Sequence, residues 1–237
     1  MSLRPSAEKS GSYVLSQHRR RPERPVAMPG PLRPAITFSH QAGAGAQDIA
    51  ALVAQRLEQA GFRGLHPWTV WDRQLIEKTL EEHRWTKQLA EKITEERRFF
   101  VDELMDELLN LRPPSWVFVP QVAETALRLA TAGHVILIGH GATVITADLP
   151  NVFHVRLVGS LPRRIERVRQ QRQLTPEAAA RFIRKKDRGR TRYVRTHFHA
   201  RLGDELLYDL VLNTDRISDD HAAAIIVEGA RRFFAAR

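Results

Sequence analysis

Ile36-Thr37-Phe38-Ser39-His40-Gln41-Ala42-Gly43-Ala44-Gly45-Ala46-Gln47-Asp48-Ile49 decides the fold: an apolar strand runs into a turn of small residues and straight on into a helical pattern. Glycines at 43 and 45 let the backbone turn tightly and bring its amides close to an anion, while the helix starting near Ala46 points the positive end of its dipole into the same space. The spacing therefore predicts a phosphate cradle formed by Gly43, Ala44, Gly45, Ala46, Gln47 and Asp48, with His40 at the strand end. It is not a complete G-x-x-x-x-G-K-[ST] loop, since Ala46 and Gln47 stand where that pattern needs a lysine for the β/γ-phosphates and a hydroxyl for magnesium. On these residues alone, an ordinary glycine-containing strand-to-helix turn stays open beside the nucleotide site.

Outward from this stretch, strands and helices alternate. Ile49, Leu52, Val53, Leu57 and Phe62 fall at helical spacing, and Gly61 is a plausible stop. Trp68–Trp71 is a short second strand ending in Asp72-Arg73, and Gln74 to Leu111 reads as two or three charged helices closed by Pro113-Pro114. Val117 to Ala130 is helical. Val135–Ile138 and Val152–Val158 are apolar on both faces, as in a buried parallel sheet. Leu161–Arg172 and Thr175–Arg195 are basic helices, Leu210–Leu212 is a last strand and Asp219–Phe234 a last helix. The alternation predicts an α/β sandwich around a parallel sheet with right-handed crossovers. Ligands of such sheets gather beyond the carboxyl ends of the strands, which here carry the His40–Ala46 turn, Asp72-Arg73, Gly139-His140-Gly141 and Asn213-Thr214.

The 237 residues suffice for one well-buried domain with a mobile lobe and a tail. With no cysteine, the chain has no disulfide, thiolate metal site or cysteine nucleophile. No apolar run reaches the ~18–20 residues of a membrane span, so a soluble, cytoplasmic protein is expected. Lysine and arginine number 37 against 27 acids, a net charge of +10 that favours phosphate-bearing ligands or nucleic acid. Residues 1–34, dense in arginine and proline and without hydrophobic periodicity, read as a disordered basic tail.

Arg181, Arg184, Arg188, Arg192 and Arg195 recur at steps of three or four, a cationic stripe along one helix face, with Gly189 suggesting a bend or break. A solvated face is the plain reading. The dominance of arginine, whose planar fork grips phosphate oxygens in pairs, points instead to a lid that closes over a transferring phosphoryl group. His197 and His199 read as surface histidines rather than a metal pair, and Trp68, Trp71, Trp85 and Trp116 as packing rather than base stacking. Asp72, ahead of Asp148, is the carboxylate best placed to meet magnesium through water.

Four stretches, in this order and spacing, resemble the cytidylate kinase-like family of P-loop nucleoside monophosphate kinases from about Ile36 onward: Ile36–Ile49; Val70–Ile76; Val135–Ala142 with Pro150–Val155; and Lys185–Tyr193. Tyr208–Thr214 adds a fifth. The resemblance implies a P-loop kinase-like three-layer α/β sandwich with a helical monophosphate-binding insertion at about 72–114 and an arginine-rich lid at about 175–202. It implies ATP and Mg2+, without naming direct metal ligands. The donor phosphates would lie on the loop and near Asn213 and Thr214. Asp72, Arg73, His140 and Arg184 would seat the acceptor, and Arg188, Arg190 and Arg192 would close over the phosphoryl group, oriented by Asp187. The chain departs from the family where His40, Gln47 and His140 replace arginines; a histidine with a pKa of about 6.5 is only partly charged at neutral pH.

Three functions are therefore in play. The first is ATP-dependent phosphoryl transfer to a CMP-like monophosphate or related small acceptor. The second is a degenerate fold that senses nucleotides or serves as an interaction module. The third is a basic RNA-binding protein.

Overall fold

The computed structural model describes residues 33–62, 67–72, 115–139 and 141–236. Five parallel strands, β1 (Ala35–His40), β2 (Thr69–Trp71), β3 (Val135–Ile138), β4 (Val152–Val158) and β5 (Leu210–Asn213), form one sheet in the order β2-β3-β1-β4-β5. The central strand β1 pairs with both neighbours, Ile36 standing opposite Ile136 on one side and Phe153 on the other. The near-continuous apolar character of β1, β3 and β4 is what a strand needs when helices cover both faces.

Those helices are α1 (Ala46–Gln59), α2 (Ser115–Ala132), the single turn α3 (Ala142–Ile145), α4 (Leu161–Arg172), α5 (Pro176–Phe198) and α6 (Asp219–Ala235). On one face Ile49, Val53 and Leu57 of α1 and Ile226 of α6 pack on Ile36, Phe38, Ile136 and Val155. On the other, Val122 and Ala126 of α2, Ile145 of α3 and Phe198 of α5 cover Ala35, Leu137 and Val152. Thr37 is buried in this second layer and bonds His154 Nδ1 at 2.7 Å and Thr143 Oγ1 at 3.1 Å, so this polar side chain inside β1 is satisfied by β4 and α3.

A third, smaller cluster joins the α4–α5 hairpin to the loop after β1: Ala42, Val168, Ala179 and Ile183. Thr175 caps α5, its hydroxyl accepting from Ala178 N–H, with Pro176 in the first turn as the sequence predicts. Gly189 does not break α5, which runs unbroken for 23 residues to His199. A single glycine costs a helix only about 1 kcal/mol, and packing on the loop and on α2's layer offsets it. The tail boundary also shifts. Pro34 O accepts from His134 N–H at 2.6 Å and Arg33 O from Asn151 Nδ2 at 2.6 Å, so residues 33 and 34 belong to the fold. The tail's other residues, nearly all of the 72–114 insertion, Arg73, Trp85 and His140 lie outside the described residues.

Candidate active site

The chain leaves β1 toward β2 and leaves β4 toward β5, in opposite directions across the sheet. Such a reversal opens a crevice at the strands' carboxyl ends. Two glycine turns stand there side by side, Gly43–Gly45 after β1 and Gly139–Gly141 after β3. All four glycines have φ between 75° and 83°, a left-handed backbone.

In the first turn Gly45 is the N-cap of α1, which no side chain caps. The amides of Gly45, Ala46, Gln47 and Asp48 precede the first intrahelical bond, Ile49 N–H to Gly45 O, and no described group accepts from them. Around this cradle the loop is held from outside. Gly43 lies against the backbone of α4, where a Cβ would come within 2.7 Å of Arg164 O. Ala42 N–H donates to Asp187 Oδ1 at 2.7 Å. Arg164, buried, donates to Ala42 O, to Asp187 Oδ2 at 2.6 Å and to Gly159 O. Asp187 also faces Arg190 Nη1 at 3.5 Å. One carboxylate of α5 thus ties together the loop, α4 and the arginine that follows it.

The second turn borders a solvent-open pocket lined by Ser39, His40, Gly139, Gly141, Arg190 and Tyr193, among others. Ser39 Oγ accepts from Arg156 Nη1 at 2.7 Å and from Tyr208 OH at 3.2 Å, fixing that wall of the pocket. Burial pushes the Tyr193 phenol up, so it stays protonated and able to donate. Phe198 packs against Gly141, anchoring the end of α5 at the pocket mouth.

The predicted site residues divide clearly. His40, the loop residues Gly43 to Asp48, Asp187 and Arg190 come together at the crevice. Gln47 Nε2 donates to Asp72 Oδ2, bringing the acid after β2 to the start of α1, and Asp48 accepts from Gln171 Nε2 at 3.0 Å. Asp148, by contrast, is exposed in the turn that leads into the amino end of β4. Thr214 donates to Val158 O, and Asn213 Oδ1 accepts from Asp215 N–H, so in this conformation both serve the turn after β5. The arginines that sequence spacing grouped together separate. Arg184, Arg188 and Arg192 are exposed on the outer face of α5, while Arg190 turns inward. Residues two apart stand about 200° apart around a helix, so Arg190 cannot share a face with Arg188 and Arg192. His197 packs on the Tyr193 ring at 5.0 Å, and His199 closes α5 in a left-handed conformation. Trp68 is buried, its indole donating to Phe62 O.

Sequence spacing did not single out Arg164 or Arg167. Arg167 lies over Gly45 so closely that a Cβ there would collide with its guanidinium. Its Nη2 donates to Asp219 Oδ1 at the start of α6, and its buried Nη1 has no hydrogen-bond partner. Unaccepted amides at a glycine turn and a buried guanidinium N–H without an acceptor fit the phosphates of a nucleotide. For magnesium, one carboxylate available beside the loop is that of Asp72, which accepts from Gln47 Nε2.

Among solved structures, an uncharacterized protein from Eubacterium ventriosum superimposes with a TM-score of 0.63 at 16% identity, covering 84% of this chain and 99% of its own. It shares the fold. APS kinase from Mycobacterium tuberculosis in complex with AMPPNP and APS matches at a TM-score of 0.46 and 18% identity over 85% of this chain and 99% of its own. Shikimate kinase from Acinetobacter baumannii in complex with shikimate matches at 0.45 and 14% over 83% and 92%. No curated protein matches at a significant level. The profile of the cytidylate kinase-like family matches residues 35–216, from the first residue of β1 to just past β5, so both glycine turns, the α4–α5 hairpin and every strand fall inside it. The chain belongs to the cytidylate kinase-like family.

Proposed function

We propose that this protein is a magnesium- and ATP-dependent phosphotransferase whose acceptor is a CMP-like nucleoside monophosphate or a related small phosphate or hydroxyl compound. The observation that carries this reading is the pairing of the two glycine turns. One presents unaccepted helix amides suited to donor phosphates, and the adjacent one opens on a pocket whose inward cation is Arg190. ATP supplies the phosphoryl group and the acceptor supplies the attacking oxygen, so no protein nucleophile is required.

What the chain contributes is placement and charge. The amides of Gly45 to Asp48 hold the donor end, and Asp187 fixes Arg190 against the pocket. Ser39, His40 and Tyr193 shape the acceptor side. Asp72 is held by Gln47 at the start of α1. A preorganised cation at the point where charge shifts stabilises the transition state without reorganisation. A screen of CMP, other monophosphates and small hydroxyl acceptors, by thermal shift with magnesium and by coupled ADP release, tests it. A ligand at about 100 times its Kd should add roughly 2.7 kcal/mol of stability. Nucleotide binding with no ADP release for any acceptor would favour a sensor over a kinase.

The outer face of α5 favours one further reading. Arg184, Lys185, Arg188, Arg192 and Arg195 are exposed and have no acidic partner among the described residues, as a surface for RNA phosphates would require. Salt-dependent RNA binding that survives saturating ATP would place it there.

A further inference from the structure

A phosphate cradle whose helix begins Ala46-Gln47 lacks the loop lysine that balances a di- or triphosphate. We infer that Arg167 of α4 supplies that cation from outside the loop, as the ligand of the donor's terminal phosphates. This rests on the phosphotransfer reading above. Three features of the site lead to it.

Arg167 is placed rather than free. Asp219, in the first turn of α6, accepts from Nη2, and the pair is only about a quarter exposed, at 27% and 25%. That contact holds the guanidinium plane directly on Gly45, the N-cap of α1, and any side chain at 45 would displace it. The bond also leaves Nη1 aimed at the loop, buried and without an acceptor. A buried donor left unsatisfied is costly, more so when charged, and folded proteins rarely retain one without a use.

The surroundings specify the missing partner. At the helix start that Arg167 lies over, the amides of Gly45, Ala46, Gln47 and Asp48 also lack acceptors among the described residues. Unaccepted amides at a helix start beside a guanidinium N–H recognise an acceptor with several oxygens and negative charge. One carboxylate already neutralises part of Arg167, so the group it awaits is a polyphosphate oxygen rather than a second structural acid. Asp219 is then a positioning residue, and Gly45 is required for the approach.

Titration of the full chain with ATP, AMP and inorganic tripolyphosphate tests this. Arg167→Ala should weaken ATP and tripolyphosphate by about ten- to a hundredfold while changing AMP, which lacks the terminal phosphates, by less than about threefold. Arg167→Lys, keeping the charge without the fork, should lie between and remains informative if the alanine variant does not fold. Asp219→Asn should shift ATP affinity in the same direction but less, with AMP again little changed. If the parent binds ATP and the alanine and lysine variants bind it equally well, Arg167 is not the donor's ligand, although phosphotransfer stands. Equal weakening of ATP and AMP with a lowered melting temperature would mean a purely structural role and overturn the inference. A parent that binds neither ATP nor tripolyphosphate would overturn both.

Discussion

The two faces of α5 carry the same residue type to opposite ends. On the inner face, Ala179, Ile183, Asp187, Arg190, Val194 and Phe198 follow at steps of four, four, three, four and four, and this row packs on the loop after β1, the pocket and the second glycine turn. On the outer face, Arg181, Arg184, Arg188, Arg192 and Arg195 stand in solvent. The abundant arginines are outside and the single paired one is inside. An arginine's role is thus set by what holds it. Arg190 has Asp187 and a pocket wall, whereas Arg188, among the described residues, bonds only the Arg184 carbonyl of its own helix.

The largest difference between the faces should appear on cutting the inner tie. Asp187→Ala leaves the buried Arg164 cation without its carboxylate and removes the acceptor of Ala42 N–H. A loss of about 3–5 kcal/mol in denaturant unfolding is expected. Arg192→Ala, on the outer face, should change stability by less than about 0.5 kcal/mol. A similar, small loss in both would mean that α5 is not anchored through Asp187.

Next in size is turnover. Arg190→Ala should lower kcat by about two to three orders of magnitude, as removal of one preorganised donor does. Arg188→Ala and Arg192→Ala should each change kcat less than about threefold if the lid works in the conformation described. A strong kcat loss in the outer variants instead would show that α5 rotates or re-docks during the cycle. In the same outer variants, RNA affinity should lose up to about 0.7 of a unit of salt slope per arginine removed if that face binds single-stranded phosphates, and none otherwise.

The smallest effect concerns the boundary between the faces. Burial, and then the charge of neighbouring His199, holds His197 below its ordinary value of 6.5. A histidine whose pKa falls on folding takes up protons preferentially in the unfolded chain. Its contribution is therefore complete above about pH 6.5 and is lost as pH falls below that value toward the folded pKa. His197→Phe should flatten the stability profile between about pH 5 and 7. An unchanged slope would assign the acid sensitivity to other groups, His134 among them, whose pKa is also lowered by burial.

Much of this was legible in the residues. Runs such as Val135–Ile138 read as buried parallel strands, and Thr175-Pro176-Glu177 reads as a helix start. The inner row of α5 could have been found too, since Ala179, Ile183, Val194 and Phe198 form an apolar period, with Asp187 and Arg190 in phase with it. The arginine stripe was the louder signal because charge is easier to see than a row of apolar residues interrupted by an ion pair. Arg167 could not have been distinguished within α4, which carries five arginines in 12 residues.

By itself, the sequence determined the order of strands and helices, the parallel sheet, the glycine turns and the family, because backbone preference and hydrophobic period act over short distances along the chain. Tertiary structure alone decided that Arg164 is buried against Asp187, that Arg190 rather than Arg188 or Arg192 meets the pocket, and that Arg167 rests on Gly45 with Asp219 behind it. These partners are separated by 23 to 122 residues along the chain. Local preferences do not encode which of several like charges will be desolvated; that is fixed by the position at which the α4–α5 hairpin docks on the loop.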